Sequence, residues 1–418
     1  MNIKYNAIQE PRNKYMDSVI FITAHYPPPE NAAGFRLKAM VKAIINNLDL
    51  SILIIDLARN KVESYHGFYG EKVFSPRNSL TYGSRFYYFY RFKNMLDLSR
   101  TYEFIKKYIE FTSLRPRLII STIPPGESVK IGIKLARHFR AKLLIDFHDL
   151  TDEWRFAENP AIGVFYKIYF NKYVYGILDK ADAITTTTEY SVYFLHKKLG
   201  KSGKPIYVIY NGVNPIDFNK AYDINVRKTS RGLRIIFVGN LNWKYHRLDV
   251  FIKSMKEIAL KEPNSKLIIV GKGKYLDKYF TMTRKMNLTN RIVFTGYISR
   301  QKLLEELGKA DFGLIPRPAK NNPWIISADR ITFYEYLASG LPVISYGPKI
   351  NYIRKIIENH ELGIYIPSND HKIIATEIIR SINYLRTLSP SHIRNYVIKY
   401  RTWDKIMKKF LKIVQELI

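Results

Sequence analysis

Arg234-Ile235-Ile236-Phe237-Val238-Gly239, Leu267-Ile268-Ile269-Val270-Gly271 and Arg291-Ile292-Val293-Phe294-Thr295-Gly296 are three short apolar runs, each closing on a glycine. Their reading decides how this chain folds. Each run is too short for a buried helix and rich in β-branched residues, so each reads as a strand buried on both faces. A helix is expected between the first two, from about Arg247 to Leu260. Phe312-Gly313-Leu314-Ile315 and Pro342-Val343-Ile344-Ser345 extend the series. Strands alternating with helices in this way build a parallel sheet with helical crossovers.

Working outward toward the N-terminus, the same alternation recurs. Strands are expected at Val19–Ala24, Ser51–Ile55, Leu118–Thr122, Lys142–Asp146, Ala183–Thr187 and Ile206–Ile209. A helix carries Leu37, Met40, Val41 and Ile44 at helical spacing. Asn211-Gly212-Val213 is a turn signal, and residues 214–232 lack apolar periodicity and read as a linker. The expected division is a tail (1–17), an N-terminal Rossmann-like domain (18–213), a linker (214–232), a C-terminal Rossmann-like domain (233–390) and a C-terminal helix (391–418). In that last helix Trp403, Met407, Phe410, Val414 and Leu417 form one apolar stripe, expected to pack back across the domains. The fold class is α/β, two facing Rossmann-like domains with a central cleft, because ligands sit off the carboxyl ends of open parallel sheets.

The 418 residues are too many for one ordinary core, which agrees with two domains. Lys and Arg total 67 against 36 Asp and Glu, so the net charge is +31. A surplus of that size implies an anionic partner: nucleic acid, an acidic membrane surface or a phosphate-bearing substrate. Cysteine is absent, which excludes disulfides, thiolate metal sites and cysteine nucleophiles. Residues 1–17 are polar and charged, unlike a signal peptide, and no apolar run approaches the ~20 residues that a spanning helix needs. The expected location is therefore cytoplasmic, at the inner face of the cell membrane.

Glycines at strand ends, followed by helix N-termini, suit an anion. Gly239-Asn240 with Lys244, and Gly271-Lys272-Gly273-Lys274, both fit; each glycine also has the plainer reading of a strand terminator. Residues 330–344, Arg-Ile-Thr-Phe-Tyr-Glu-Tyr-Leu-Ala-Ser-Gly-Leu-Pro-Val-Ile, are more specific. They place Glu335 in the early turns of a helix, then a small-residue turn, then a proline-started strand. A carboxylate there can accept two hydrogen bonds from a vicinal diol such as a ribose.

These strings, together with Tyr210-Asn211-Gly212-Val213 and Ala310–Pro316, run in the order found in retaining GT-B glycosyltransferases of family 4, the group 1 glycosyltransferases, and the chain resembles that family over nearly all of residues 18–418. In the first half, Pro27–Arg36 is similar to the family's first loop. Ser121–Pro125 and Asp146–Leu150 are similar to members that use nucleotide N-acetyl amino sugars. The resemblance implies a nucleoside-diphosphate sugar donor, no cofactor, and same-face attack without a covalent enzyme intermediate. The residues expected to bind the donor are Ala33 and Gly34, whose loop lacks bulky side chains so that backbone can approach the phosphates, with Gly239, Asn240, Gly271, Gly273, Asp329, Arg330, Tyr334 and Glu335; the resemblance makes His148 a contact to the donor sugar or acceptor hydroxyl. The departures are as informative. Ser327 stands where the family usually has its first glutamate, Thr332 where many relatives have lysine, and Asn240 where the family has arginine. Asp329, Arg330 and Arg317 are the nearest polar substitutes.

Departure of a diphosphate needs cationic stabilisation. No dense Asp/His cluster suggests a metal, so Lys244 and Arg247 are expected to supply it. Two or three cations do not account for +31. Arg85–Lys93 and Tyr166–Tyr173 interleave rings with cations, which suits anionic lipid headgroups. Arg36, Arg85, Arg91 and Lys93 are therefore expected at a membrane or lipid-linked acceptor; the plainer reading is a tyrosine-rich core with solvated lysines. Nucleic-acid binding is a minor alternative because no helix-turn-helix, zinc-finger or RNA-stacking signature accompanies the charge. A GT-B epimerase or degenerate scaffold is the other alternative, kept open by Ser327.

Overall fold

The computed structural model describes residues 15–26, 32–57, 63–67, 70–75, 98–153, 160–200, 203–228, 232–242, 246–318 and 320–418. The chain divides into two compact units. The first holds Met1–Asp146, Lys180–Ile184 and Ile413–Ile418; the second holds Phe147–Asp179 and Thr185–Lys412. Arg85, Arg91, Lys93 and Lys244 lie outside the described residues.

The first unit runs β1 (Met16–Thr23), α1 (Ala32–Asn47), β2 (Ser51–Asp56), β3 (Glu63–His66), β4 (Lys72–Ser75), α2 (Ser99–Phe111), β5 (Leu114–Ile123), α3 (Glu127–Phe139) and β6 (Lys142–Phe147), with β7 (Ala183–Thr186) entering through Ala183 and Ile184. The strand order is β3-β4-β2-β1-β5-β6-β7. β1 is parallel to β2 and to β5, so Val19 sits beside Ile52 and Leu118; β3 and β4 pair antiparallel. Val19 through Ile22 are wholly buried, which is why this strand shows no alternation in its sequence.

Arg36 is 1% exposed. Its Nε and Nη2 donate to the two carboxylate oxygens of buried Asp146 at 3.0 and 2.7 Å. This corrects its expected place at a membrane or acceptor: the guanidinium is committed to a buried bidentate pair, the geometry in which a charge tolerates removal from water. Ala33 and Gly34, expected in a loop, lie in the first turn of α1.

The second unit contains α4 (Pro160–Tyr173), α5 (Glu189–Leu199), β8 (Ile206–Val208), α6 (Asn219–Val226), β9 (Arg234–Val238), α7 (Leu248–Lys261), β10 (Lys266–Val270), α8 (Leu276–Lys285), β11 (Ile292–Gly296), α9 (Arg300–Lys309) and β12 (Phe312–Pro316). It continues through α10 (Pro323–Ser327), α11 (Ile331–Ala338), β13 (Val343–Tyr346), α12 (Tyr352–His360), β14 (Gly363–Ile366), α13 (His371–Thr387), α14 (Pro390–Tyr400) and α15 (Trp403–Leu417). Its sheet is parallel in every pair, in the order β11-β10-β9-β12-β13-β14. Ser299, Asn322, Asn351, Asp370 and Ser389 accept hydrogen bonds from the first turns of the helices they precede. Those bonds satisfy otherwise orphaned N–H groups and fix where the helices begin.

Residues 215–226 of the stretch expected as a linker fold. Pro215–Phe218 is a 3-10 turn, and α6 follows it with Ala221 and Asn225 buried. The helix lies so close to α9 that a Cβ on Gly308 would come within 2.7 Å of the Ile224 Cβ. Part of its anchoring is polar, from Asn225 Nδ2 to the Ser339 carbonyl at 3.2 Å, which leaves little apolar periodicity to read. In α15, Ile406, Met407, Phe410, Ile413 and Val414 are buried, and Ile413–Ile418 belong to the first unit. Among the described residues, no helix is long and apolar enough to cross a membrane.

Candidate active site

The carboxyl ends of β9, β10 and β12 converge in the second unit, the position at which open parallel sheets bind ligands. The loops after β9 and β10 are joined to each other. Gly239 N donates to Val270 O at 3.0 Å, Leu241 N to Lys272 O at 3.0 Å, and Lys274 N to Asn242 Oδ1 at 2.9 Å. The Asn240 side chain accepts from Asn242 N at 2.9 Å and holds the turn. Gly271 and Gly273 have φ of +142° and +155°, and a Cβ on either would overlap backbone atoms, the Gly239 carbonyl oxygen in one case and Asn242 N in the other. Glycine is thus required at both positions by the packing of one loop on the other. This packing requirement stands beside the expected one, N–H groups at the strand ends that suit an anion.

A cationic cluster lies beside these loops. Arg317 directly follows β12, is buried, and has its guanidinium 5.2 Å from the Trp324 ring centre. Trp324 is fixed at the start of α10 because Asn322 Oδ1 accepts from its backbone N–H at 3.0 Å and Pro323 occupies the first turn. Its Nε1 donates to Asp149 Oδ1 at 3.0 Å. Asp149 reaches solvent, yet it is enclosed closely enough that lost hydration raises its carboxyl; Trp324 and the charges of His148, Arg317 and Arg330 oppose that rise. His246 is 1% exposed and packs edge-on to Phe237 at 5.3 Å. Burial lowers its pKa well below the ordinary histidine value, and the Arg330 and Arg317 charges lower it further. Arg330 Nη1 is buried with no hydrogen-bond acceptor among the described residues. His148, Asp149, His246, Arg317 and Arg330 therefore share one electrostatic environment, in which two permanent cations face one carboxylate. Such a site has room for added negative charge.

Glu335 projects from α11, half-buried, and its Oε1 accepts from Arg300 Nη1 at 3.4 Å. Arg300 in turn lies 4.5 Å over the Phe218 ring. Burial raises the Glu335 carboxyl and Arg300 opposes the rise. Arg247 precedes α7 with φ +48° and pairs with Asp249 at 3.2 Å, and its carbonyl accepts from Tyr346 OH at 2.8 Å.

Two expected donor contacts serve the fold. Asp329 Oδ2 accepts from Asn211 N at 2.7 Å, its Oδ1 accepts from Tyr334 OH at 2.5 Å, and its carbonyl accepts from Asn211 Nδ2 at 2.8 Å. Tyr334 is wholly buried, which raises its phenol pKa. Arg401 stacks 3.8 Å from the Tyr210 ring and donates to Tyr352 OH at 2.6 Å beside them. Asp329 and Tyr334, both expected at the donor, thereby also tie distant segments together. Ser327 does not substitute for an acid: its Oγ donates to Pro323 O at 2.8 Å inside its own helix.

The structure thus brings His148 and Arg330 into one cluster and Gly239, Asn240, Gly271 and Gly273 into one loop pair. Ala33 and Gly34 belong to the first unit. His246, Trp324 and Arg300 were not legible as site residues, because each comes from a different element and acquires its meaning from convergence. Arg317 carried a signal, its position just past a strand's carboxyl end. Among the described residues, no three His, Cys, Asp or Glu side chains group in a way that would hold a metal ion.

A family model described as glycosyl transferases group 1 matches residues 232–383. An uncharacterized glycosyltransferase of Methanocaldococcus jannaschii is 26% identical over 217 residues, 49% of this chain and 53% of that protein. The putative teichuronic acid biosynthesis glycosyltransferase TuaH of Bacillus subtilis is 26% identical over 171 residues, 40% of this chain and 41% of that protein. The chain spans about half the length of these curated relatives. Among solved structures, Anabaena HepE in complex with UDP and glucose superposes with a TM-score of 0.65 at 13% identity, covering 96% of this chain and 99% of that one. That likeness is one of fold.

Proposed function

We propose, from the match of residues 232–383 to a model of group 1 glycosyl transferases, that the protein transfers a sugar from a nucleoside-diphosphate sugar to a glycan or lipid-linked acceptor at an anionic membrane surface, with retention at the anomeric carbon. The observation that carries the reading is the cluster of Arg317 and Arg330 around His246 and Asp149, at the carboxyl ends of a parallel sheet. In the transfer, the acceptor oxygen bonds to the anomeric carbon while the bond from that carbon to the diphosphate oxygen breaks. The hydroxyl proton passes to the departing diphosphate. Charge grows on the leaving group, and fixed cations in a partly dehydrated site stabilise that growth most. Arg330 and Arg317 fill this role, Glu335 holds the ribose diol, and His148 lies where it can meet the transferred sugar. A relative named for teichuronic acid biosynthesis supports a surface polysaccharide as product, and a structure of the same fold solved with UDP and glucose supports a UDP-sugar donor. A net charge of +31 supports peripheral residence at the inner face of the membrane.

Calorimetry against a panel of UDP- and GDP-sugars, together with turnover measurements, tests this reading. Glu335→Ala weakens nucleotide affinity by about tenfold or more, the worth of charge-assisted hydrogen bonds. Arg330→Ala lowers turnover by ~10²–10³-fold and affects turnover more than affinity. Failure of the wild type to bind any nucleotide sugar, or an unchanged UDP affinity in Glu335→Ala, overturns it.

A further inference from the structure

The helix α4 has the sequence Pro-Ala-Ile-Gly-Val-Phe-Tyr-Lys-Ile-Tyr-Phe-Asn-Lys-Tyr, with no acidic residue. Its inner face is firmly seated. Tyr166, Tyr169 and Phe170 are buried, Phe170 packs 5.8 Å from the Tyr175 ring, and Lys167 Nζ is 3.0 Å from Glu153 Oε2. The outer face is unlike an ordinary solvated surface. Val164, Phe165 and Ile168 are 48%, 63% and 61% exposed. Their spacing of three and four residues puts them on one stripe, which Asn171 and Lys172, both exposed, continue toward the C-terminal end. The last turns of α5 adjoin that end, since Asn171 and Lys197 line one cavity, and α5 presents exposed Lys197 and a 62% exposed Tyr193.

We propose that this outer stripe of α4 docks on an anionic lipid bilayer, with Val164, Phe165 and Ile168 entering the headgroup–acyl boundary and Lys172 and Lys197 meeting lipid phosphates. The inference rests on the membrane-borne acceptor proposed above and names the surface that meets it. Three contiguous large apolar side chains in water mark a contact surface. A helix held rigidly on one face and carrying an apolar stripe with a cationic end is suited to lying in the plane of an interface. The occupant follows from charge. The stripe has cations beside it, the helix has no carboxylate to repel an anionic surface, and the chain carries +31. Lys167 is not counted, because Glu153 already neutralises it.

The test is flotation of the full chain with vesicles of phosphatidylcholine alone and of phosphatidylcholine with phosphatidylglycerol in equal parts, for the wild type, Phe165→Ser/Ile168→Ser and Lys172→Glu. The wild type floats with the anionic vesicles and much less with the neutral ones. Phe165→Ser/Ile168→Ser lowers the bound fraction at least fivefold and Lys172→Glu lowers it about twofold, with melting temperature and nucleotide affinity unchanged. Equal flotation of wild type and double variant overturns the proposal, as does the absence of wild-type flotation. So does a solution dimer of the wild type that the double variant dissociates, since the stripe would then bind a second copy. Vesicle binding with no nucleotide-sugar binding would defeat the transferase reading and leave this surface standing; nucleotide binding with no vesicle binding would do the reverse.

Discussion

His246 keeps company with two arginines in a place almost closed to water, and that company sets its charge. Its folded pKa lies well below the ordinary value near 6.5, while the unfolded chain titrates normally. Below pH ~6.5 the unfolded state therefore takes up a proton that the native state refuses, and stability falls as the pH falls, at up to about 1.4 kcal/mol per pH unit for this one group. His246→Gln should flatten the decline in melting temperature between about pH 7.5 and 5.5 relative to the wild type; parallel declines would show that His246 does not contribute. At this scale the sequence is a partial guide. Glu335 was singled out because it belongs to a long string that joins a carboxylate, a small-residue turn and a proline-started strand, and the helix and strand of that string are present. Asp329 and Tyr334 were singled out for the same reason, and the structure adds what the string does not show: their oxygens engage Asn211 and each other. Nothing in residue type or spacing separates a polar side chain that faces a ligand from one that knots the chain.

At the scale of elements, the strands were the easiest part to read, since residues buried on both faces form unbroken apolar runs. The glycines that end them were legible as well, though the packing that requires them was not. Because Gly271 has φ +142° and its Cβ would overlap the Gly239 carbonyl, Gly271→Ala should destabilise the second unit by about 2–4 kcal/mol, combining backbone strain with overpacking. Denaturant titration followed by a probe in that unit would measure it, and an unshifted midpoint would mean that the two loops separate easily. The helix α6 shows the opposite limit. With polar anchoring from Asn225 and a close approach to a glycine on α9, it carries too little apolar pattern to be told from a linker.

For the whole molecule, the surplus of 31 positive charges is the property most exposed to the medium. Attraction to anionic vesicles should weaken progressively as salt rises from about 0.01 to 1 M, over which the screening length shrinks from ~30 to ~3 Å. Binding of a nucleotide within the buried arginine cluster should respond much less over the same range, because screening reaches buried charges poorly. Flotation assays in a salt series, with calorimetry alongside, would show the contrast; salt-independent flotation would leave the surplus charge without a part in it. Two α/β domains were legible from length and alternation; His148, Arg317 and Arg330 were singled out one by one, but their assembly into one cluster with His246 was not legible, because its members are spread over residues 148 to 330.

The knot of Asp329 has a consequence for inheritance of damage along the chain. Arg330, one of the two cations proposed to stabilise the leaving group, is covalently next to an aspartate that Asn211 and Tyr334 hold in place, with Arg401 stacked beside them. A lesion near the C-terminus, seventy residues downstream of Arg330 and outside every strand, would slacken the backbone on which that arginine is mounted. The sheet would survive intact while its chemistry went out of alignment.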